Sequence, residues 1–528
     1  MIVIFKKDSR IFYVVESDHR FSEGEKEQLS WLFSGAKALS STKVQGPFVG
    51  PRKEMITPWS TNAVEITQSM GLNGISRIEC FTKVKTGDTQ YDKMLFRYYE
   101  VIDSNIFKTD KQPDPIIFVQ DISSYNESEG LALSKEEEEY LTKLSQKLGR
   151  PLTDSEVFGF SQVNSEHCRH KIFNGTFIID GKEMPMSLFK LIKRTSKENP
   201  NGLVSAYKDN VAFIEGPRIE QFAPVNPDKP DFFTISNLST VISLKAETHN
   251  FPTTVEPFNG AATGTGGEIR DRLGGGKASL PLAGTAVYMT SYPRIDENRC
   301  WEQVIAPRQW LYQSPVDILI KASNGASDFG NKFGQPLICG SVLTFEHEEN
   351  GKTYAYDKVI MLAGGVGFAA KRDAIKGVPA PGEKVVLLGG DNYRIGMGGG
   401  AVSSVATGQY VGAIELNAVQ RANPEMQKRV ANVIRALAET GLNPIISIHD
   451  HGAGGHLNAL SELVEATGGH IDINSLPVGD ATLSYKEIIG NESQERMGMV
   501  VKAKDIPYIR RIAEREKAPM YVVGETTA

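Results

Sequence analysis

The sequence predicts a multidomain protein of mixed α+β and α/β class, and three observations carry that prediction. At 528 residues the chain is too long for one hydrophobic core and requires about three or four domains. Short β-type runs alternate with amphipathic segments of helix length along it. Its 50 glycines gather at 260–276, 364–367, 389–400 and 452–455, each beside a segment that reads as a strand or a helix. That is the pattern of layers whose loops approach a ligand closely.

The elements follow in order. Ile2–Phe5 and Ile11–Val15 read as strands, 23–38 as a helix, and 75–85 and 93–102 as strands, which makes 1–130 a small α+β domain. Ser134 with Glu137 forms a capping box, and the helix it opens carries Glu136–Glu139 in its first turn, where the helix dipole favours acids. Thr153 with Glu156 forms a second box, followed by Val157, Phe158 and Phe160 on an apolar side. The two helices make 131–190 a helical linker. Met184–Ile192, Thr240–Glu247, Val287–Thr290, Ile318–Ile320 and Lys358–Ala363 read as strand-like runs between loops, chiefly in a domain over 191–372. Lys384–Leu388 then reads as a strand and Gly389–Gly400 as a glycine loop. Asn423-Pro424 starts a helix by the N-cap/N1 rule, with Met426, Val430, Val433, Ile434 and Leu437 facing inward. Pro444–Ile448 reads as a strand and Leu457–Ala466 as a helix closed by Gly468, within a last domain over 373–528.

Composition excludes several function classes. Hydrophobic content of 40% and charged content of 23% are those of an ordinary water-soluble chain. A net charge of −6 gives no general attraction to nucleic acid or anionic membrane, so an anionic ligand must be held by local arrangement. Cys80, Cys168, Cys300 and Cys339 form no CxxC pair, which fits a reduced compartment and argues against a structural zinc module. Met1-Ile-Val-Ile-Phe-Lys-Lys is no signal peptide, and Val359–Ala370 is too short and glycine-rich to span a bilayer. The expectation is a cytoplasmic protein with no nucleic-acid or membrane partner.

Four constellations carry chemistry. Ser161-Gln-Val-Asn-Ser-Glu-His-Cys-Arg-His-Lys171 is polar where a helix docked on a core should be apolar. Continued as a helix from Thr153, it puts Asn164, His167 and Lys171 on one face and His170 one turn from His167, either as a solvated basic face or as a site. In Val241–His249 the period is two, so Lys245, Glu247 and His249 face one way and Ile242, Leu244 and Ala246 the other. On a half-exposed sheet that is a solvated polar ladder; at a site it is a lysine for phosphate, a glutamate for a metal and a histidine for a proton. Gly260-Ala-Ala-Thr-Gly-Thr-Gly-Gly-Glu-Ile-Arg-Asp271 is neither a Walker A loop nor a GxGxxG turn, yet its amides and hydroxyls can cradle phosphate beside Arg270 and Asp271. Ile448-His-Asp-His-Gly-Ala-Gly-Gly-His456 sets Asp450 at a strand end with glycines leading into a helix, a geometry for metal–phosphate binding. Glu247, Asp271 and Asp450 are oxygen donors that suit Mg²⁺, Lys245 and Arg270 suit phosphates, and His167 and His249 titrate near neutral pH. The inventory is that of ATP-dependent chemistry on a phosphorylated substrate.

The chain resembles the amino-terminal part of the large, single-chain form of the phosphoribosylformylglycinamidine synthase (formylglycinamide ribonucleotide amidotransferase) family. The residues that carry the likeness are Gly50-Pro-Arg, Thr57-Pro-Trp-Ser-Thr, Phe160 to Lys171, Ser205-Ala-Tyr-Lys-Asp-Asn, Glu247-Thr-His-Asn, Gly260 to Asp271, Asp450-His-Gly-Ala-Gly-Gly and Glu492-Ser-Gln-Glu-Arg, in the family's order. The resemblance implies a purine-biosynthesis ligase that converts formylglycinamide ribonucleotide (FGAR) to the amidine with ATP, Mg²⁺ and ammonia taken from glutamine, through an iminophosphate. It implies His167 as an active-site histidine, His249 as proton acceptor, and Glu247, Asp271 and Asp450 as metal ligands. His170, Lys245 and the run Gly260, Ala261, Ala262, Thr263, Gly264, Thr265, Gly266, Gly267, Glu268, Ile269, Arg270 and Asp271 match ATP positions. Thr248, His249, Asn250, Phe251, Arg270, Gln420, Glu492, Ser493 and Gln494 match substrate contacts. Phe251 stands where many members have a second histidine, which therefore cannot be essential here.

The implied architecture is a small amino-terminal domain, a helical linker and one aminoimidazole-ribonucleotide-synthetase-like unit of two lobes. The chain is expected to be a fragment without the family's second such unit and glutaminase, inactive alone, with a bare sheet face through which it pairs as a homodimer. Two rival functions are a cysteine amidohydrolase using Cys168 and a non-catalytic nucleotide-binding or assembly module. The first needs a base oriented on the thiol, and helical neighbours diverge by about 100°.

Overall fold

The computed structural model describes residues 1–88, 90–307, 313–402, 418–493 and 495–528, with the side chains of 401 and 402 excepted. By compactness the chain divides into two units: Met1–Asp114 with Val478–Leu483, and Pro115–Pro477 with Ser484–Ala528.

The first unit is an antiparallel sheet with two helices. Its strands are β1 (Ile2–Lys6), β2 (Ile11–Ser17), β3 (Lys37–Ala38), β4 (Val44–Pro51), β5 (Ile75–Lys83) and β6 (Phe96–Ile102), in the order β3-β1-β2-β5-β4-β6. Period-two alternation sends Phe5, Val15 and Ile78 to one face, where they meet Leu29 and Phe33 of helix α1 (Glu23–Leu32) and Ala63 of α2 (Pro58–Ser69). Ile4, Phe12, Val14 and Phe81 fill the other face with Phe48 and Tyr99. The helix expected over 23–38 ends at Leu32 because Ala36 turns in to the core and Lys37–Ala38 joins β1.

The second unit opens with α3 (Ile122–Glu129), α4 (Lys135–Leu148), α5 (Asp154–Val163), α6 (Glu166–Arg169) and α7 (Leu188–Glu198). Both capping boxes form, Ser134 with Glu137 and Thr153 with Glu156. The helix does not run on through 171: Asn164 caps α5 and the Ser165 side chain takes the Cys168 amide to start α6, the competition with backbone bonding that makes serine a cap. Met184–Ile192 is no strand; Ser187 caps α7 there.

Beyond the linker, β7 (Leu203–Ser205), β8 (Ala212–Pro224), β9 (Phe233–Thr248), β10 (Leu280–Thr290), β11 (Leu337–Thr344) and β12 (Ile360–Ala370) form a sheet in the order β7-β8-β9-β12-β10-β11. Helices α8 (Asn250–Val255), α9 (Pro257–Leu273) and α10 (Pro315–Phe333) accompany it, and the run at Ile318–Ile320 belongs to α10, capped by Ser314. A short apolar run fits a buried helix as well as a strand. The carboxyl-terminal lobe has β13 (Lys384–Gly389), α11 (Pro424–Ala438), β14 (Ser447–Asp450), α12 (Gly455–Leu463), β15 (Gly469–Ile471), α13 (Tyr485–Gly490), β16 (Arg496–Val501), α14 (Ile506–Arg515) and β17 (Met520–Thr526). Its sheet order is β14-β16-β13-β17-β15. Asn423 caps α11 as expected, whereas the strand expected at 444–448 starts at Ser447 and ends at Asp450, and α12 starts at Gly455.

One core joins the two lobes. Ala262, Ile269 and Leu273 of α9 pack with Phe329 and Phe333 of α10, with Val430, Ile434 and Leu437 of α11, and with Ile448, Met497 and Met499 of the carboxyl-terminal sheet. Each such large side chain contributes about 1.5–3 kcal/mol on burial. Helix α9 is thereby enclosed, with every residue from Gly260 to Leu273 buried.

Candidate active site

Strand β9 delivers Lys245 and Glu247, and its register with β12 sets Lys245 opposite Gly365 and Glu247 opposite Ala363. The polar row does not face solvent. Lys245 and Glu247 keep 20% and 26% of their side-chain area, while Leu244 on the alternate face keeps 36% and Ala246 is exposed. The sheet is inverted relative to a half-exposed one: its charged row lies under the helices.

Contrary to the glycine loop expected there, Gly260–Asp271 is the body of α9. Its amides are committed to helical carbonyls, so the segment offers no amide cradle for phosphate and can reach a ligand only with side chains. The glycines serve close packing. A Cβ on Gly260 would lie 2.3 Å from the Pro252 carbonyl carbon, one on Gly264 3.0 Å from His249 Cβ, one on Gly266 2.7 Å from Phe329, and one on Gly267 2.3 Å from Glu247 Oε1. Two of these clearances make room for candidate functional side chains.

Through them α9 brings Asp271 to Lys245, whose Nζ lies 2.7 Å from Asp271 Oδ2 and 3.5 Å from Glu247 Oε2. Asp450, at the end of β14, joins through Asn210: its amide nitrogen donates to Asp450 Oδ1 at 2.6 Å and to Asp271 Oδ1 at 3.1 Å. Glu247, Asp271 and Asp450 are thus linked to one another through Lys245 and Asn210. Three carboxylates share one lysine, and their proton affinities record the strain. Burial and then the Asp271 charge push Glu247 well above the usual carboxylate range and Asp450 to about 6. Asp271, despite its burial, is held at about 2 by Lys245. The same acids raise Lys245 against its own desolvation.

Oxygen donors short of positive charge are the chemistry a hard divalent cation selects, but the set is not gathered as one. Among the described residues no three His, Cys, Asp or Glu side chains are gathered in a metal-holding group. The charge between Asp271 and Glu247 is supplied here by Lys245.

His249 follows at the start of α8. Burial, partly offset by a backbone bond to Gly260 and reinforced by His167, lowers it to about 4, so its ring is neutral at physiological pH; its Nδ1 is buried without a partner. His167 keeps exposed area yet is surrounded by protein, and that desolvation, with His170 and Lys245 nearby, lowers its pKa as well. His170 adopts a left-handed turn with its ring 6.0 Å from Phe189. Glu137 organises this segment, accepting from Asn164 Nδ2 and Lys171 Nζ, each at 2.6 Å. Cys168 is a protonated thiol, pushed to about 11 by burial, which does not favour a nucleophile there.

The remaining candidates divide. Asn250 Oδ1 takes the Met361 amide at 3.0 Å, Thr248 is exposed, and Phe251 is core, 2% exposed. Arg270 is buried between the lobes, its NH1 2.7 Å from Gln427 Oε1 and its Nε 3.2 Å from the His451 carbonyl. Gln420 donates to Glu492, which also accepts the Gly454 amide at 3.1 Å and is raised to about 7 by burial. Ser493 is buried beside it, and Gln494 lies outside the described residues. Asn210 and Glu137 are the participants that sequence reasoning passed over; the Ser205–Asn210 run was visible as a motif but without a role.

The chain matches three family models: formylglycinamide ribonucleotide amidotransferase N-terminal at residues 10–97, formylglycinamide ribonucleotide amidotransferase linker domain at 122–171, and AIR synthase related protein, C-terminal domain, at 380–528. It is 38% identical over 500 residues to the Arabidopsis thaliana protein named probable phosphoribosylformylglycinamidine synthase, chloroplastic/mitochondrial, covering 90% of this chain and 36% of that protein. The chain thus spans about a third of the length of that curated relative. Thermotoga maritima PurL complexed with FGAR shares the fold, with a TM-score of 0.51 and 24% identity over 74% of this chain and 52% of that one.

Proposed function

Because the chain belongs to the formylglycinamide ribonucleotide amidotransferase family, we propose that it is the first synthetase unit of an ATP-dependent carbon–nitrogen ligase acting on FGAR in purine biosynthesis. The observation that carries this reading is the convergence of Lys245, Glu247, Asp271 and Asp450 beside a neutral His249. In the proposed reaction the γ-phosphoryl group of ATP passes to the FGAR amide oxygen, leaving ADP and an iminophosphate. Ammonia derived from glutamine attacks the carbon, phosphate departs, and the amidine remains.

Each residue has work suited to its state. Lys245 offers a fixed positive charge for phosphate oxygens, and Glu247, Asp271 and Asp450 would hold Mg²⁺, which when bound supplies charge neutralisation for the transferring phosphoryl group. His249 is neutral and can accept the proton that ammonia loses; His167, its pKa lowered by desolvation though part of its area stays exposed, can exchange one with the leaving side. Gln420, Glu492, Ser493 and Gln494 are proposed as substrate contacts, with Thr248, His249, Asn250, Phe251 and Arg270. His170 and the 260–271 segment are proposed as ATP positions, the helical segment through its side chains.

The fourfold division at 130, 190 and 372 is proposed as the functional one, although the linker model starts at 122 and the compact units part after Asp114. A cytoplasmic compartment is proposed from the four free cysteines. No described helix is long and apolar enough to cross a membrane. The bare sheet face, where Leu244 and Val366 sit directly opposite each other and each keeps 36% of its area, is proposed to receive a second synthetase-like unit, or a second copy of this chain in its absence.

The test is steady-state amidine synthesis from ammonia in a chain of the relatives' full length. His249→Ala and His167→Ala should each lower turnover by about two to four orders of magnitude, the scale of a positioned acid or base. Near-normal turnover in either variant removes that residue from the chemistry.

A further inference from the structure

Lys358 stands just before β12, where three hydrogen bonds fix the chain against the start of α8. The Val359 amide donates to Thr254 Oγ1 at 3.1 Å, the Met361 amide to Asn250 Oδ1 at 3.0 Å, and the His249 amide to the Met361 carbonyl at 2.9 Å. Thr254 is tied in turn to the Asn250 carbonyl at 2.9 Å, so both segments are held as one. The Lys358 ammonium lies 5.8 Å from the centre of the Phe251 ring. An aromatic face attracts a cation but does not neutralise it.

This lysine is half-buried, and no acid balances it. Among the described residues it makes no hydrogen bond and no ion pair, and burial alone lowers its proton affinity. Lys245 and Lys486 are sheltered too, yet each has a carboxylate oxygen 2.7 Å from its Nζ, Asp271 Oδ2 and Glu129 Oε2 respectively. A lysine withdrawn from water is ordinarily paired in this way. Asn250 adds a second donor on the same pinned segment. Its Oδ1 accepts from the Met361 amide, so its NH₂ is turned the other way and makes no hydrogen bond among the described residues. A cation and an amide donor call for an acceptor that carries negative charge, and a phosphate group has oxygens for both.

We infer that Lys358 is a further binding residue, pairing its ammonium with a phosphate group of the ligand held by Thr248 to Phe251. This rests on the proposed function, in which those residues contact substrate. Two phosphate bearers meet in that reaction, FGAR and ATP, and the test separates them.

The experiment is calorimetric titration of FGAR, of the same compound without its phosphate, and of ATP into the 528-residue chain, Lys358→Met and Lys358→Arg. Urea midpoints are measured without ligand. Lys358→Met should weaken binding of FGAR, or of ATP if the phosphate is the nucleotide's, by about tenfold or more, the scale of a hydrogen bond to a charged group. Lys358→Arg should recover part of the loss, and the dephosphorylated compound should bind wild type and Lys358→Met alike. The midpoint of Lys358→Met should not fall, because the change removes a sheltered charge that no acid balances. Unchanged affinity for both FGAR and ATP in Lys358→Met overturns the inference and leaves the proposed function standing. An equal loss for the dephosphorylated compound, with a lowered midpoint, also overturns it, since the lysine then supports the fold. Binding of neither FGAR nor ATP by the wild-type chain overturns the inference and the reading beneath it together.

Discussion

Glu268 and Arg272 stand one turn apart on α9 with 1% and 0% of their side-chain area exposed, and Gln335 completes the group with its Nε2 2.7 Å from Glu268 Oε1. Burial outweighs the neighbouring guanidinium and raises Glu268 to about 7. A carboxyl raised in the folded state stabilises the fold fully below its unfolded pKa of about 4.3, and that contribution is lost as pH rises through about 7. At about 1.4 kcal/mol per pKa unit, the loss is on the order of 3 kcal/mol. Urea unfolding at pH 5 and pH 7.5 should therefore show wild type losing more stability than Glu268→Gln over that interval. Equal losses in both would mean Glu268 is ionised in the fold at pH 5. At this scale local pairs were legible in the sequence and distant ones were not. Ser134–Glu137 and Thr153–Glu156 act within one turn, so spacing alone announces them. Asn210 meets its acids only after two lobes assemble, and nothing in its neighbours signals that.

At the scale of elements, α9 shows why glycine misleads. Glycines read locally as loop, but in a helix enclosed on every side they are the residues that let the backbone pass close to its neighbours. The distinction lies in what surrounds the helix, which the sequence does not display. Gly260→Ala places a methyl 2.3 Å from backbone that cannot swing aside, so it should cost about 1–3 kcal/mol or more. Gly24 in α1 has nothing within 4 Å, and Gly24→Ala should instead stabilise by about 0.4–1 kcal/mol. Urea midpoints of the two variants check the contrast. If both changes stabilise, α9 is not packed as described. The runs at Met184–Ile192 and Ile318–Ile320 fail for a related reason: each is too short to distinguish a strand from one side of a helix, and Ser187 and Ser314 as caps are the signals that decide.

At the scale of the molecule, the mixed class was legible because periodicity and turn residues are local, although α7 and α10 read as strands and α9 as a loop. Which side of β9 would be buried was not legible. The charged row lies under the helices and the apolar row is bare, an arrangement that serves a sheet destined to be covered on its second face. Light scattering should find the 528-residue chain self-associating with concentration, and Leu244→Glu with Val366→Glu should return it to a monomer of unchanged circular dichroism. A wild-type chain that stays monomeric at high concentration would leave that face without a partner of its own kind.

The central claim is that Lys245, Glu247, Asp271 and Asp450 together form a cation-dependent nucleotide site. Calorimetric titration of ATP into this chain, with and without Mg²⁺, tests it most directly, with Glu247→Gln, Asp271→Asn and Asp450→Asn compared under the same conditions. The predicted result is ATP binding that strengthens with Mg²⁺ in wild type and weakens about tenfold or more in each amide variant, while the unfolding midpoints move little. Equal ATP binding by wild type and all three variants, with or without Mg²⁺, would contradict it.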